Sequence, residues 1–215
     1  MIEVKTMDYN EKQLQIIETA ERLFAAKGFE GTSVRDIAQE AGINIAMISY
    51  YFGSKEKLIE AIFAYRISYT RLTMLQVLQD ENMSAAEKIE RIIDSYIDKM
   101  MKNQCFYRLM AQERSILELH NISGLVYESK SKNMDMIKKI IAEGQKKGEF
   151  RKNIDVSLMM ATLIGTSNHF ILSQEFYKKY NNMKDMPEDE FAKHFRKKLG
   201  NYLKTLFKAL LTYES

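Results

Sequence analysis

One proline and nine glycines in 215 residues limit the fold of this chain more than any other feature. Sheets of any size need frequent turns, and turns draw on Gly and Pro. Here long stretches contain nothing that interrupts a helix, and the many Lys, Glu, Leu, Ile and Met residues favour that state. The expected fold is all-α. Apolar spacing agrees, because Leu14, Ile17, Ala20 and Phe24 recur at three- and four-residue steps and stop at Gly28, a natural C-cap. Shorter helices are expected from Ser33 to Ala41 and from Asn44 to Tyr51, with Gly42 between them. After Phe52-Gly53, Ser54 can cap a helix reaching about Leu78. Further helices are expected near 85–102, 105–120, 123–147, 155–180 and 188–212.

Several classes of function find no support. A single cysteine, Cys105, excludes an internal disulfide framework and any multi-cysteine zinc site. The sequence has no glycine-rich phosphate loop, no His/Glu pair at zinc-protease spacing and no histidine near Cys105. No catalytic or metal-ligating residue is nominated, and no cofactor is expected. The amino terminus carries Glu3, Lys5 and Asp8 without the apolar run of a secretory signal, so a cytoplasmic location is expected. The stretch from Val156 to Gln174 is free of formal charge, yet Ser157, Thr162, Thr166, Ser167, Asn168 and His169 make it too polar for hydrocarbon. It reads as a helix covered by protein, and no membrane partner is expected. The net charge of +3 is too small to name a polyanionic partner. Residues 1–57 even hold seven basic against nine acidic side chains, so any nucleic-acid role must rest on local geometry.

That geometry is in residues 32–58, TSVRDIAQEAGINIAMISYYFGSKEKL. Ser33 followed three residues later by Asp36 fits a capping box. Ala38 is small where a second helix must cross closely, and Gly42 stands where the first must stop. Ile37, Ala41, Ile43 and Ile48 supply contacts between the two helices, and Asn44 can cap the second. Two short helices meeting at such a turn form a helix-turn-helix, whose second helix enters the DNA major groove. The surrounding residues sharpen the reading. AERLFAAKGFEGTSVRDIA and YYFGSKEKL, within residues 14–62, resemble the TetR family of bacterial transcriptional regulators. FYRLMAQERS (106–115) and AEGQKKGEF (142–150) carry a weaker likeness to the same family.

The resemblance implies two domains. Residues 1–56 would be a three-helix, helix-turn-helix DNA-binding domain, and residues 57–215 a helical domain for ligand binding and dimerisation. It implies contacts to double-stranded DNA from Thr32, Ser33, Arg35, Asn44, Ile45, Ala46, Ser49, Tyr50, Tyr51 and Lys55. Thr32 and Ser33 bring hydroxyls and free amides to a helix start, which suits phosphate as well as capping. Tyr50 and Tyr51 suit either backbone phosphates or packing against the first helix. The sequence departs from a frequent family pattern, with Ile45 and Met47 where Lys and Thr are common and Ser49 where an aromatic is common. Few side chains remain for bidentate reading of bases, so thymine methyls and DNA shape would carry more of the discrimination.

The large domain is read as receptor and dimeriser. Phe191, Phe195, Leu199, Tyr202, Leu206 and Leu210 step at fours and threes, an apolar stripe expected at a homodimer interface. Met101, Tyr107, Met110, Asn168 and His169 are candidates to line a site for an apolar small-molecule effector, although such residues also serve as ordinary core. His120 and His194 stand among charged residues and are expected to be exposed. The composite expectation is a homodimeric repressor released from a palindromic operator by a small ligand. A helical scaffold recruiting a protein partner and an all-α enzyme with a dispersed site are the alternatives.

Overall fold

The structure is a computed structural model that describes residues 9–112 and 122–212. Among the described residues there are ten helices and no strand. They are α1 (Glu11–Lys27), α2 (Val34–Glu40), α3 (Ile45–Phe52), α4 (Lys55–Gln79), α5 (Ala85–Lys102), α6 (Gln104–Gln112), α7 (Ile122–Lys146), α8 (Val156–Leu172), α9 (Gln174–Tyr180) and α10 (Glu188–Thr212). The all-α expectation holds, and most helix ends fall within a residue or two of their sequence signals, while the expected end near residue 120 lies outside the described residues. The chain divides into two compact units: Met1–Leu72 with Cys105–Ser131, and Thr73–Gln104 with Lys132–Ser215.

Capping chemistry sets the ends in the first unit. Asn10 and Gln13 form a reciprocal capping box on α1, and Ser33 and Asp36 form another on α2. Gly28 closes α1 at φ 76°, a backbone angle that a side chain would strain. The core of this unit joins Ile16, Ile17, Ala20 and Phe24 of α1 to Ile37 and Ile48 of the two short helices. It continues through Leu58, Ile59, Ile62 and Phe63 of α4 into Phe106 and Leu109 of α6 and Ile122 and Val126 of α7. One charged pair is set into it. Arg66 on α4 grips Glu21 on α1 through two hydrogen bonds of 2.7 and 3.1 Å, with the Glu21 side chain 5% exposed.

In the second unit α5 packs along α10. Gly200 lies against Ile97 and Asp94 of α5, and Arg196 holds Asp98 at 2.6 and 2.9 Å. Gly144 on α7 is required by close packing. A Cβ there would stand 2.2 Å from the Phe150 ring and 2.9 Å from the Ala85 Cβ.

The expected helix over 155–180 is two helices. Ser173 turns its hydroxyl onto the His169 carbonyl at 2.7 Å, and α8 and α9 meet there at a bend of 73°. A hydroxyl that takes the carbonyl four residues back loosens a helix. The bend also lets Phe170 and Tyr177 both pack on Phe195, at 4.7 and 5.7 Å between ring centres. Among the described residues no single helix is long and apolar enough to cross a membrane.

Candidate nucleic-acid interface

Three backbone bonds close the α2–α3 turn. Ala41 N–H donates to Ile37 O at 2.9 Å, Gly42 N–H to Gln39 O at 3.2 Å, and Ile43 N–H to Ala38 O at 3.0 Å. Gly42 takes φ 62°, the left-handed angle that closes a helix in this way. From α1, Gln15 Nε2 donates to Ala41 O at 2.8 Å and pins the turn to the first helix. Sequence reasoning did not single out Gln15, and its only signal was an amide on the α1 face beside an apolar row.

The second helix begins at Asn44, whose Oδ1 accepts from Ala46 N–H at 2.9 Å. Ile48 is fully buried against the head core, while Asn44, Ile45, Ala46, Ser49 and Tyr50 are exposed. These five share the outer face of α3. Tyr50 is 82% exposed and packs edge-on against Tyr51, which is half-buried and turns toward Phe52. Ser33 and Arg35, at the start of α2, are exposed as well. Bonds from the Ser33 hydroxyl and amide hold the Asp36 carboxyl below the usual carboxylate range.

Thr32 and Lys55 do structural work in the free chain. The Thr32 side chain is 1% exposed and its hydroxyl donates to Gly28 O at 2.8 Å, so it closes the α1–α2 loop from inside. Lys55 Nζ donates to Phe29 O at 3.0 Å and Thr32 O at 3.2 Å, and lies 4.1 Å from the centre of the Phe29 ring. Two of its three protons are occupied in bracing the loop that presents Ser33.

The residues nominated in the large domain are scattered more widely than the sequence suggested. The expected single stripe splits between two faces of α10. Phe191, Phe195 and Leu199 are 1–2% exposed and are consumed by the unit's own core, together with Leu203, Phe207 and Leu211. Tyr202 at 59% and Leu210 at 36% are exposed, with Leu206 half-buried between them. Both faces step at threes and fours, so spacing alone could not separate them.

Of the effector candidates, Tyr107 and Met110 pack on the core of the first unit, and burial pushes the Tyr107 phenol up to about 12. Met101, Asn168 and His169 belong to the second unit. His169 is exposed, contrary to its expected burial, whereas the Oδ1 of half-buried Asn168 is buried without a hydrogen-bond partner. Its neighbour Ser167, not nominated from sequence, is fully buried with its hydroxyl also unpartnered. His194 is half-buried rather than exposed, and His120 lies outside the described residues. An apolar crevice too narrow to admit a water molecule runs between Ile93, Ile137, Met159, Leu163 and Phe207. Among the described residues no group of three or more His, Cys, Asp or Glu is arranged to hold a metal ion.

A capped helix, a glycine turn and a second helix with one buried and one exposed face define a helix-turn-helix DNA-binding head on a helical body. Residues 16–62 match the family described as bacterial regulatory proteins, tetR family, and residues 86–200 match the tetracyclin repressor-like C-terminal domain. The chain belongs to the TetR family of DNA-binding transcriptional regulators. It is 31% identical over 141 residues to the probable HTH-type transcriptional regulator YttP of Bacillus subtilis, a match covering 63% of this chain and 66% of YttP. To the HTH-type transcriptional repressor NicS of Pseudomonas putida it is 31% identical over 160 residues, covering 69% and 71%. The structure of the ketosteroid transcriptional regulator KstR2 of Mycobacterium tuberculosis superposes with a TM-score of 0.73 at 18% identity, covering 96% of this chain and 98% of that one.

Proposed function

We propose that this regulator is a cytoplasmic homodimeric repressor that holds a palindromic operator through two copies of α3 and leaves it when a small, largely apolar molecule binds the helical body. The observation that carries the DNA reading is the outer face of α3. Asn44, Ile45, Ala46, Ser49 and Tyr50 are exposed together on a helix whose other side is locked into the head core. In this reading residues 1–56 act as the DNA-binding domain and 57–215 as receptor and dimeriser. Ser33 and Arg35 serve the phosphate backbone, where they set register without reading sequence. Lys55 serves it through the proton its two carbonyl bonds leave over, and Thr32 contributes by shaping the loop.

The dimer contact is assigned to the outward face of α10, Tyr202, Leu206 and Leu210, rather than to the whole six-residue stripe. Large exposed apolar side chains in series are a surface that water penalises and a second copy would cover.

The effector reading is supported by the adjacent Ser167 hydroxyl and Asn168 Oδ1, both buried without partners. Each such group costs about 1–3 kcal/mol unless something pairs with it. Drug-sized sites hold roughly 300–1,000 Å³, whereas the crevice among Ile93, Ile137, Met159, Leu163 and Phe207 is too narrow for a water molecule, so binding there must spread the helices. That required movement is what makes a ligand a switch.

The test is selection of duplexes from a randomised pool, followed by fluorescence anisotropy with the enriched sequence and sedimentation of the complex. The reading expects one palindromic sequence bound by two subunits, with affinity falling steeply as salt rises. Failure to enrich any sequence would refute it.

A further inference from the structure

We propose that Ile45 reads the C5-methyl group of a thymine, and that this apolar contact is the principal direct base readout in each half-site. The inference rests on the DNA-binding function proposed above and deepens it.

The outer face of α3 has an unusual chemistry for a groove-reading surface. The helix IAMISYYF holds no charged side chain, so the bidentate pairing of Arg or Lys with guanine is unavailable from it. Asn44 is the one side-chain amide at its start, and bidentate pairing with adenine needs both its oxygen and its nitrogen. That oxygen already accepts the Ala46 N–H at 2.9 Å as the helix cap. Ser49 offers one hydroxyl, which bonds donors and acceptors alike and so discriminates weakly. Tyr50, 82% exposed, carries its hydroxyl at the end of a long ring, a reach that suits the backbone.

What remains is Ile45. At 43% it is an exposed large aliphatic side chain, and it stands in the first turn of α3, the part of a recognition helix that meets base edges. Ala46 beside it is small and exposed and adds no polar group. Exposed in the free chain, the isoleucine side chain gains little from folding, and covering it in a complex buries apolar area worth about 25 cal/mol per Å². The major groove has one apolar feature among its base edges, the thymine methyl. An isoleucine pressed on that methyl excludes water from both, and no other base carries a methyl group there. Cytosine leaves the pocket empty and purines place ring nitrogen or exocyclic polar atoms near it.

The experiment replaces single thymines of the selected operator by deoxyuridine, which removes the methyl and keeps every hydrogen-bonding group. Binding of the full-length dimer to each duplex is measured by anisotropy, with wild type and with Ile45→Ala. One thymine position per half-site should stand out, weakening wild-type binding about fourfold when replaced in one half-site and about fifteenfold in both, the worth of one buried methyl each. Ile45→Ala should bind the thymine and deoxyuridine duplexes alike, with an unchanged melting curve because residue 45 lies outside the core. Equal losses from deoxyuridine in wild type and Ile45→Ala, or no thymine position that responds, would overturn the methyl contact while leaving DNA binding in place. A chain that enriches no sequence at all would overturn the underlying function as well.

Discussion

Arg66→Met tests the least ordinary element of the head. The substitution keeps most of the stem volume and deletes the guanidinium that donates to Glu21 at 2.7 and 3.1 Å. With its side chain 5% exposed, Glu21 then has a carboxylate with little water and no counter-charge. Stranding one member of a buried pair costs about 3–5 kcal/mol, against well under 1 for an exposed pair such as Arg22–Glu40. The pH dependence gives the sharper signature. Burial already pushes the Glu21 carboxyl above its usual range, and the Arg66 bonds and charge pull it back. Without Arg66 it must rise further. An acid whose folded pKa exceeds its unfolded value binds more protons when folded, so its stability is lost as pH rises through the window between the two. The variant should therefore show its full loss near pH 8 and recover part of it on acidification toward pH 5, relative to wild type. Urea denaturation followed by helical circular dichroism, at fixed subunit concentration because the proposed dimer would contribute, reads both quantities. Glu21→Gln combined with Arg66→Met should be far less destabilised than Arg66→Met alone. A loss below about 1 kcal/mol, or one that does not change between pH 8 and pH 5, would refute the argument that the pair is desolvated.

Leu206→Glu should yield a folded monomer by sedimentation, whereas Phe195→Glu, which charges the interior of the second unit, should unfold it; a dimeric Leu206→Glu would remove the outward face of α10 from the interface. Gly144→Ala should cost about 3 kcal/mol by thermal denaturation, since its Cβ would overlap the Phe150 ring and Ala85 together. Ser33→Ala removes a helix cap and should lower stability by about 1 kcal/mol. Because the Asp36 carboxyl titrates below its usual range, the stability it adds is present above the ordinary carboxylate range and fades as pH falls through its lowered value; the Ser33→Ala variant should lose that acid dependence.

What could be read from sequence was whatever one short stretch determines by itself. Ser33 and Asp36 cap α2, Asn44 caps α3, and Gly28 and Gly42 take positive φ, all from residues within four positions of one another. The exposed face of α3 was legible for the same reason, because its exposed and buried sides alternate within eight residues. Relations between distant segments were not. Glu21 pairs with a residue 45 positions away, and its one local sign was a carboxylate in the row between Ile17 and Phe24. The break at Ser173 had no Gly or Pro to announce it and depends on a serine turning back on its own helix while Phe195 receives rings from both sides. The α10 stripe divides between two faces that share one spacing, and only the partner helix decides which is inside. Thr32 has the composition of a phosphate contact and the environment of a core residue.

The first unit also constrains how the proposed switch can work. Its core has no soft layer between the outer face of α3 and the helices beyond it. Ile48 of α3 and Ile62 and Phe63 of α4 belong to one buried cluster with Phe106 and Leu109 of α6, and the Phe63 and Phe106 rings lie 5.1 Å apart. Glu21 and Arg66 add a charged clamp between α1 and α4. A packed interior of this kind moves as a body rather than bending within itself. Displacement of α6, or of the part of α4 in this unit, therefore carries α3 with it instead of being absorbed on the way. The part of α4 in this unit, residues 55–72, is a rod about 27 Å long, and tilting it by about 5° moves one end by about 2 Å. Base-edge contacts lose a quarter to half of their attraction when opened by about 0.5–1 Å. In the proposed dimer a tilt that small would spoil one half-site while the other is occupied, and the apolar contact proposed for Ile45 has no long side chain with which to follow the retreating base.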